Sequence, residues 1–212
     1  MRAQPPSFPS APVEVYAPPA RFTIEQYHAM VEANILTEDT RVELLAGQIV
    51  AQRPINPPHA AAIDRLRRTL TRKLDEERSL VRTENPVVLS EASEPQPDGM
   101  VLRRREDDYA YAHPTPADVR LVVEVADSSL KHDREGKMPL YAAAGIREYW
   151  IVNLVDRQLE RYTEPVPEIR AVGRPATYAR SEVFADGERF DHATYGTIVV
   201  GELLPALPPA GA

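Results

Sequence analysis

The stretch Leu121-Val122-Val123-Glu124-Val125 decides the fold, because it is an apolar run with a single acidic residue inside it. Apolar side chains at successive positions are typical of a central strand that is covered on both faces. An ionised glutamate in such a strand costs several kcal/mol of free energy unless a metal, a base or another partner meets it. Glu124 therefore predicts a functional site on this strand.

Two further side chains flank the strand in sequence and match its chemistry. Asp98 lies in Pro97-Asp98-Gly99, where proline fixes the approach and glycine frees the exit, and Lys137 lies in a polar segment ahead of a short helix. A Pro-Asp-Gly sequence alone predicts only an ordinary turn. Asp98 becomes a candidate site residue because Glu124 follows it in the chain. Two carboxylates with a lysine nearby form the kind of pocket that holds Mg²⁺ beside a phosphate. The set indicates phosphodiester chemistry.

The same residues carry a family resemblance. Pro97-Asp98, Glu124 and Lys137, together with Tyr141-Ala142-Ala143-Ala144-Gly145-Ile146-Arg147-Glu148-Tyr149-Trp150-Ile151-Val152, resemble the Uma2 family, a branch of the PD-(D/E)xK restriction-endonuclease-like superfamily. The similarity covers residues 21–205, and the run from Tyr141 is its most specific part. It implies an α/β fold with a restriction-endonuclease-like mixed central sheet, flanking helices, an N-terminal helix and a β-hairpin. It also implies a metal-dependent endonuclease.

The resemblance also implies roles for individual residues. Glu43 would join the pocket as a third acid, and the main-chain carbonyl of Val125 would be a further ligand for Mg²⁺ or Mn²⁺. The superfamily usually places a lysine two residues after the strand glutamate, where this chain has Ala126. The resemblance to the Uma2 family implies a lysine on the following helix instead, at a position that matches Lys137. Lys131 is the alternative. Without the resemblance, Glu43 would be interpreted as an exposed strand residue.

Local patterns predict the elements around the site. Thr23 and Gln26 have the form of a capping box, which predicts a helix from Ile24, and Ala46-Gly47 predicts a hairpin turn. A helix is expected over residues 59–77, after a chain break at Pro57-Pro58. The later order of strand, helix and strand favours an α/β class, with strands near 176–183 and 197–200 closing a sheet edge.

The predicted helix over 59–77 carries a basic face whose role has two interpretations. Arg65, Arg68 and Arg72 are candidates for nucleic-acid binding, and the alternative is a solvated surface. His59 at the start of the helix could cap it or contact a phosphate, but a lone histidine there is more often exposed. We therefore leave it out of the catalytic set.

Three residues near the predicted site have competing interpretations. Asp133 could pair with Lys137 along the helix or take part in metal binding. Tyr141 could orient Lys137, although packing is the favoured role for Tyr141 and for Trp150.

Composition limits the class of protein. The chain has 212 residues, no cysteine and a net charge of -7, which favours one domain, a reducing cytoplasm and no general coating of DNA. No apolar run is long enough to span a membrane. We expect a Pro-rich disordered arm over residues 1–20, a single domain over 21–205 and a loose tail over 206–212.

The favoured function is a metal-dependent endonuclease acting on DNA as a homodimer, since cutting both strands of a duplex needs two sites. The alternative is a non-catalytic module on the same fold that binds nucleic acid or protein. RNA or another phosphoester stays open as the substrate, because a metal pocket acts on the phosphate alone.

Overall fold

The computed structural model describes residues 18–37, 39–169, 171 and 173–207. The expected Pro-rich arm lies outside these residues up to residue 17, and the expected tail lies outside them from residue 208.

The elements follow one another along the chain with short connections. The helices are α1 (Ile24–Glu32), α2 (Pro57–Lys73), α3 (Leu130–His132) and α4 (Met138–Ala143). The strands are β1 (Val42–Leu45), β2 (Gln48–Ala51), β3 (Ser79–Arg82), β4 (Gly99–Arg103), β5 (Val119–Ala126), β6 (Glu148–Asn153), β7 (Gln158–Val166), β8 (Thr177–Ala185), β9 (Arg189–His192) and β10 (Gly196–Val199). A π-helical turn (Asp133–Lys137) joins α3 to α4, and a 3-10 turn (Val200–Glu202) follows β10. Within the described residues, none of these helices has the length and apolar character needed to cross a membrane.

The central sheet has six strands in the order β3-β4-β5-β6-β7-β8. β5 and β6 run parallel, joined through α3, the π-helical turn and α4, and every other neighbouring pair is antiparallel. β1 and β2 form a separate antiparallel hairpin. The mixed sheet, the flanking helices, the N-terminal helix and the hairpin confirm the predicted fold class.

The predicted N-terminal elements have the expected local chemistry. The main-chain N–H of Gln26 donates to Thr23 Oγ1 at 3.2 Å, and the N–H of Thr23 donates to Gln26 Oε1 at 3.0 Å. This reciprocal capping box starts α1. Ala46 and Gly47 both have positive φ, 48° and 80°, as a two-residue turn of type I′ requires.

α2 differs from its prediction at both ends. Pro57 and Pro58 do not break the chain but are the first residues of the helix, after Asn56 as N-cap. Proline is tolerated there because the first N–H groups of a helix have no intrahelical partner. The helix ends at Lys73 instead of residue 77, because Leu74 takes an extended conformation.

Alternation along β5 sends its side chains into two apolar layers. Val123 and Val125 pack with Leu66 and other residues of α2, on one face of the sheet. Val122 and Ala126 pack with Tyr141 and its neighbours, on the opposite face. Glu124 shares the second face by its position in the strand, so it lies against the helical segment that carries Lys137.

The C-terminal strands only partly follow the prediction. β8 is an edge strand of the central sheet, as expected, but β10 pairs with the unpredicted β9 and not with that sheet. The β9-β10 hairpin packs on the α2 side, where Phe190 stacks on Phe184 with ring centroids 4.4 Å apart. Burial of these apolar side chains by a separate hairpin is a long-range effect that the local pattern does not contain.

Candidate active site

A pocket of about 270 Å³ opens beside the end of β5. Its walls come from the β1-β2 hairpin and the segment after it, the first turn of α2, the loop before β4, and the segment from residue 127 to Lys137. The four predicted residues with chemistry at the site all line this pocket: Glu43, Asp98, Glu124 and Lys137. The fold thus brings together side chains that lie far apart in the sequence.

Glu124 lies at the base of the pocket and is 2% exposed. Its Oε1 accepts a hydrogen bond from the Tyr141 hydroxyl at 2.7 Å and lies 3.2 Å from Lys137 Nζ. Its Oε2 accepts from the main-chain N–H of Asp98 at 3.4 Å. Burial raises the pKa of Glu124 well above its ordinary value, Lys137 lowers it, and Asp98 raises it further. The partners that an acid in an apolar strand needs are therefore present.

Asp98 is held at the start of β4 by contacts across to β5 and α2. Its Oδ2 accepts from the main-chain N–H of Val125 at 2.6 Å and lies 3.3 Å from His59 Nε2. The following residue, Gly99, does not have the positive φ expected of a turn glycine. A Cβ there would lie 2.6 Å from Leu66 Cδ2. A Cβ at this position would displace Leu66, so glycine allows α2 to pack directly on this strand.

Glu43 is not the exposed strand residue that the sequence alone suggested. It is 4% exposed, and its Oε2 accepts from the main-chain N–H of Gln96 at 3.0 Å and lies 3.2 Å from Lys137 Nζ. A single β-bridge between Leu44 and Glu94 docks the hairpin against the segment before Asp98. This docking turns Glu43 into the pocket.

Lys137 is the buried cation between these acids. Its Nζ lies 3.2 Å from both Glu43 Oε2 and Glu124 Oε1. Burial lowers the pKa of Lys137, but Glu124, Glu43 and other nearby acids raise it above the ordinary value, so the ammonium form is held. Lys131, the alternative, has a side chain that is 86% exposed and pairs with Glu135 at 3.8 Å. Lys137 is therefore the lysine that reaches the pocket.

The π-helical turn gives Asp133 a different partner from the one expected. An i,i+4 pair with Lys137 assumes an α-helix, and here the backbone between them is wound as a π-helix. Asp133 Oδ2 instead accepts from Ser129 Oγ at 2.6 Å. Burial raises the pKa of Asp133 to about 6, with the Ser129 bond and Lys137 opposing the shift.

Tyr141 and Trp150 both pack in the core, as favoured, and Tyr141 also contacts the site. Tyr141 is fully buried, and its hydroxyl contacts Glu124 rather than orienting Lys137. Trp150 packs edge-on against Phe190 and Tyr195, which confirms the packing interpretation.

His59, which the sequence analysis left out of the catalytic set, lines the pocket and is not exposed as expected. Its side chain is 17% exposed. Burial lowers the pKa of His59, but its hydrogen bond and charge interaction with Asp98 raise it, so the pKa ends above the ordinary value. The only signal in the sequence was its place in the first turn after the N-cap. Contact with Asp98 depends on how α2 packs on β4, which no local pattern contains.

The predicted basic cluster lies outside the pocket. Arg65 donates through Nη2 to the main-chain carbonyl of Gly201 at 2.9 Å, so it is committed to holding α2 against the 3-10 turn. Arg68 and Arg72 are exposed on α2, roughly 14 and 20 Å along the helix from His59 at 1.5 Å per residue. Arg41 and Arg53, which the sequence reasoning did not single out, do line the pocket.

The donor set suits a hard divalent cation that keeps part of its water. Asp98 and Glu124 offer carboxylate oxygens in one pocket, and the carbonyl of Val125 follows the strand glutamate. Among the described residues, no group of three or more His, Asp or Glu side chains could hold a metal by itself. Mg²⁺ is commonly bound by one or two carboxylates with water and substrate oxygens. Burial is the main cause of the raised pKa values of Glu124 and Asp133, with neighbouring acids adding to it and Lys137 opposing it.

Comparison with known proteins adds two findings. The model of the Uma2 family, described as "Putative restriction endonuclease", matches residues 24–194. The fold is similar to that of a crystal structure from Anabaena variabilis, described as "a putative nuclease belonging to DUF820", with a TM-score of 0.64 and 13% identity. That similarity covers 86% of this chain and 97% of the other chain. None of the curated proteins compared with the chain matches it.

Proposed function

We propose that this chain, which belongs to the Uma2 family of nuclease-like proteins, is a metal-dependent endonuclease that hydrolyses phosphodiester bonds in DNA. The observation that carries the proposal is the meeting of Asp98, Glu124 and Lys137 in one pocket, with Glu43 beside the lysine. Two acids and a cation on adjoining elements are what phosphodiester hydrolysis needs to bind a metal and a phosphate together.

A Mg²⁺ or Mn²⁺ ion would be held by the carboxylates of Asp98 and Glu124 and the main-chain carbonyl of Val125. When bound, such an ion supplies Lewis-acid stabilisation of the phosphoryl oxygens and acidifies an attacking water. Four acids act on the single ammonium group of Lys137, and a divalent cation would compensate part of their charge, which supports this assignment.

Lys137 acts in this proposal as a fixed positive charge that donates to a phosphate oxygen. Its raised pKa favours this role over proton abstraction, because the neutral amine is scarce at neutral pH. Glu43 holds the ammonium group from one side, and Tyr141 and Lys137 together fix one oxygen of Glu124. A fixed cation needs no reorganisation when charge develops on the phosphate.

Charges outside the acidic centre support a nucleic-acid substrate. Arg41 and Arg53 line the pocket, where they can contact phosphates next to the cleaved bond. Arg68 and Arg72 extend a positive surface along α2 for more distant phosphates. The family description favours DNA as the substrate, and a homodimer would supply the two sites that cutting both strands requires.

A cleavage assay tests the proposal. Supercoiled, linear and single-stranded DNA, and RNA, are incubated with Mg²⁺, Mn²⁺ or EDTA, and Asp98→Ala and Glu124→Ala are run beside the unmodified protein. We expect cleavage of DNA that requires metal and is lost in both variants while each stays folded by circular dichroism. Lys131→Ala is the matched control, because that lysine lies in the same segment but points to solvent.

Cleavage that persists in both acid variants would reject the assignment of the site. A folded protein that neither cleaves nor binds metal at millimolar concentration would instead favour a binding module on a nuclease-like fold. Cleavage of RNA alone would keep the site and change the substrate.

A further inference from the structure

The two oxygens of the Asp98 carboxylate lie in different surroundings. Oδ2 accepts from the main-chain N–H of Val125 at 2.6 Å and lies 3.3 Å from His59 Nε2. Among the described residues, no hydrogen-bond or ion-pair partner is found on Oδ1. One oxygen is therefore used to hold the side chain in place, and the other is left for a ligand.

The His59 ring lies against Asp98 and also interacts with the main chain of Val125. Its main-chain N–H donates to the side chain of Asn56, the N-cap of α2, at 3.0 Å, which fixes the first turn of the helix. Its Nδ1 is buried and has no hydrogen-bond partner within the described part of the chain. A buried nitrogen without a partner costs free energy, so the ring is kept in this place by its other contacts and by the packing of α2.

Packing also fixes α2 relative to Asp98. Leu66, two turns after His59, lies so close to Gly99 that a Cβ on the glycine would be 2.6 Å from Leu66 Cδ2. Gly99 directly follows Asp98 in the chain. The helix that carries the histidine and the strand start that carries the aspartate are therefore locked together, and the contact between the two side chains follows from that packing.

We propose that His59 is a positioning residue that holds Asp98 Oδ2 so that Oδ1 alone is presented to the metal. The inference rests on the proposed function, since it assumes that Asp98 is a metal ligand. Mg²⁺ prefers octahedral geometry, in which a carboxylate gives one oxygen. A partner that fixes a metal-binding side chain is typically worth 10–100-fold in metal affinity or activity.

The test is Mn²⁺ binding measured by calorimetry on the full chain, together with metal-dependent cleavage. We expect His59→Ala to weaken Mn²⁺ binding by about 10-fold and to raise the metal concentration needed for cleavage by a similar factor. His59→Gln should recover most of the affinity, because its side-chain amide can still donate to Asp98. His113→Ala is the control, because that histidine is exposed and does not line the pocket.

Several results would overturn the inference. Unchanged affinity in His59→Ala would show that the contact does not position the ligand, and tighter binding would show that His59 competes with the metal. Equal losses in His59→Gln and His59→Ala would mean that the ring's shape matters and not its hydrogen bond. If the unmodified protein binds no Mn²⁺, the proposed function fails and the inference fails with it. If the unmodified protein does bind Mn²⁺, the results for the His59 variants test the positioning role alone.

Discussion

Two groups of buried acids around the central sheet are neutralised in different ways. At the end of β5, Glu43 and Glu124 share a single ammonium group, that of Lys137, at 3.2 Å from each. At the start of β6, Glu148 accepts hydrogen bonds from Trp150 Nε1 at 2.7 Å, Arg161 Nε at 2.7 Å and His192 Nε2 at 2.9 Å. The two acids of the first group share one cation, whereas the single acid of the second group, Glu148, meets both Arg161 and His192.

The pKa values of the two groups move in opposite directions. Burial raises the pKa of Glu148, but the hydrogen bonds from His192, Arg161 and Trp150 outweigh burial, so the pKa ends below its ordinary value. At the site, burial and neighbouring acids raise the pKa values of Glu124 and Asp133 despite Lys137. A buried acid whose pKa stays raised is typical of a functional site, and an acid whose pKa is lowered by its hydrogen bonds is typical of a structural network. The difference supports the proposal that the first group binds the metal.

The largest effect expected from this contrast is on activity. Glu124→Gln should reduce metal-dependent cleavage by about 10³-fold, because the amide is a poor ligand and the metal supplies several kcal/mol of stabilisation. Its thermal stability at neutral pH should be unchanged or higher, because an acid that is costly to ionise has been made neutral. Cleavage rate and melting temperature of the same preparation check both statements. A variant that melts much earlier would place Glu124 among the structural acids.

The opposite outcome is expected in the second group. Glu148→Ala should lower the free energy of unfolding by about 3 kcal/mol, because Arg161, His192 and the Trp150 N–H lose a buried acceptor. The melting temperature should fall by roughly 6–12 °C for a chain of this size. Cleavage per folded molecule, measured well below the transition, should stay within about twofold of the unmodified protein. If Glu148→Ala lost cleavage but kept its stability, Glu148 would not be a structural acid and the contrast between the two groups would be wrong.

The smallest effect is a change in pH dependence at Asp133. Its pKa is raised from 3.8 to about 6, so the folded protein holds this proton more tightly than the unfolded chain does. Stability is therefore lost as pH rises through that range, and the cost is fully present at neutral pH. Asp133→Asn should stabilise the protein by roughly 1–3 kcal/mol at pH 7.5 and by almost nothing at pH 4.

Melting curves across pH 4 to 8 provide the measurement, and the second group provides the internal comparison. Glu148 has a lowered pKa, so its contribution is present above the ordinary value of 4.5 and is lost as pH falls through its folded pKa. The contribution of Asp133 to stability should thus fall as pH rises, and the contribution of Glu148 should increase as pH rises. Equal stabilisation by Asp133→Asn at pH 4 and pH 7.5 would show that its effect is not one of charge.

By itself, the sequence determined the types of most elements and the acid at the centre of the fold. The capping box of Thr23, the turn at Gly47 and the apolar run around Glu124 are local patterns, and the cost of burying a charge follows from that run alone. The choice of Lys137 over Lys131 and the inclusion of Glu43 came from the family resemblance, since no local pattern distinguishes them.

Tertiary structure alone decided how the pocket is completed. Glu43 is buried because the hairpin docks beside residue 94, His59 meets Asp98 because α2 packs on Gly99, and Tyr141 reaches Glu124 across two elements. The π-helical turn changes which side chains face each other, so the spacing of Asp133 and Lys137 was a poor guide. These contacts join residues far apart in the chain, and their geometry depends on packing that periodicity and propensity do not encode.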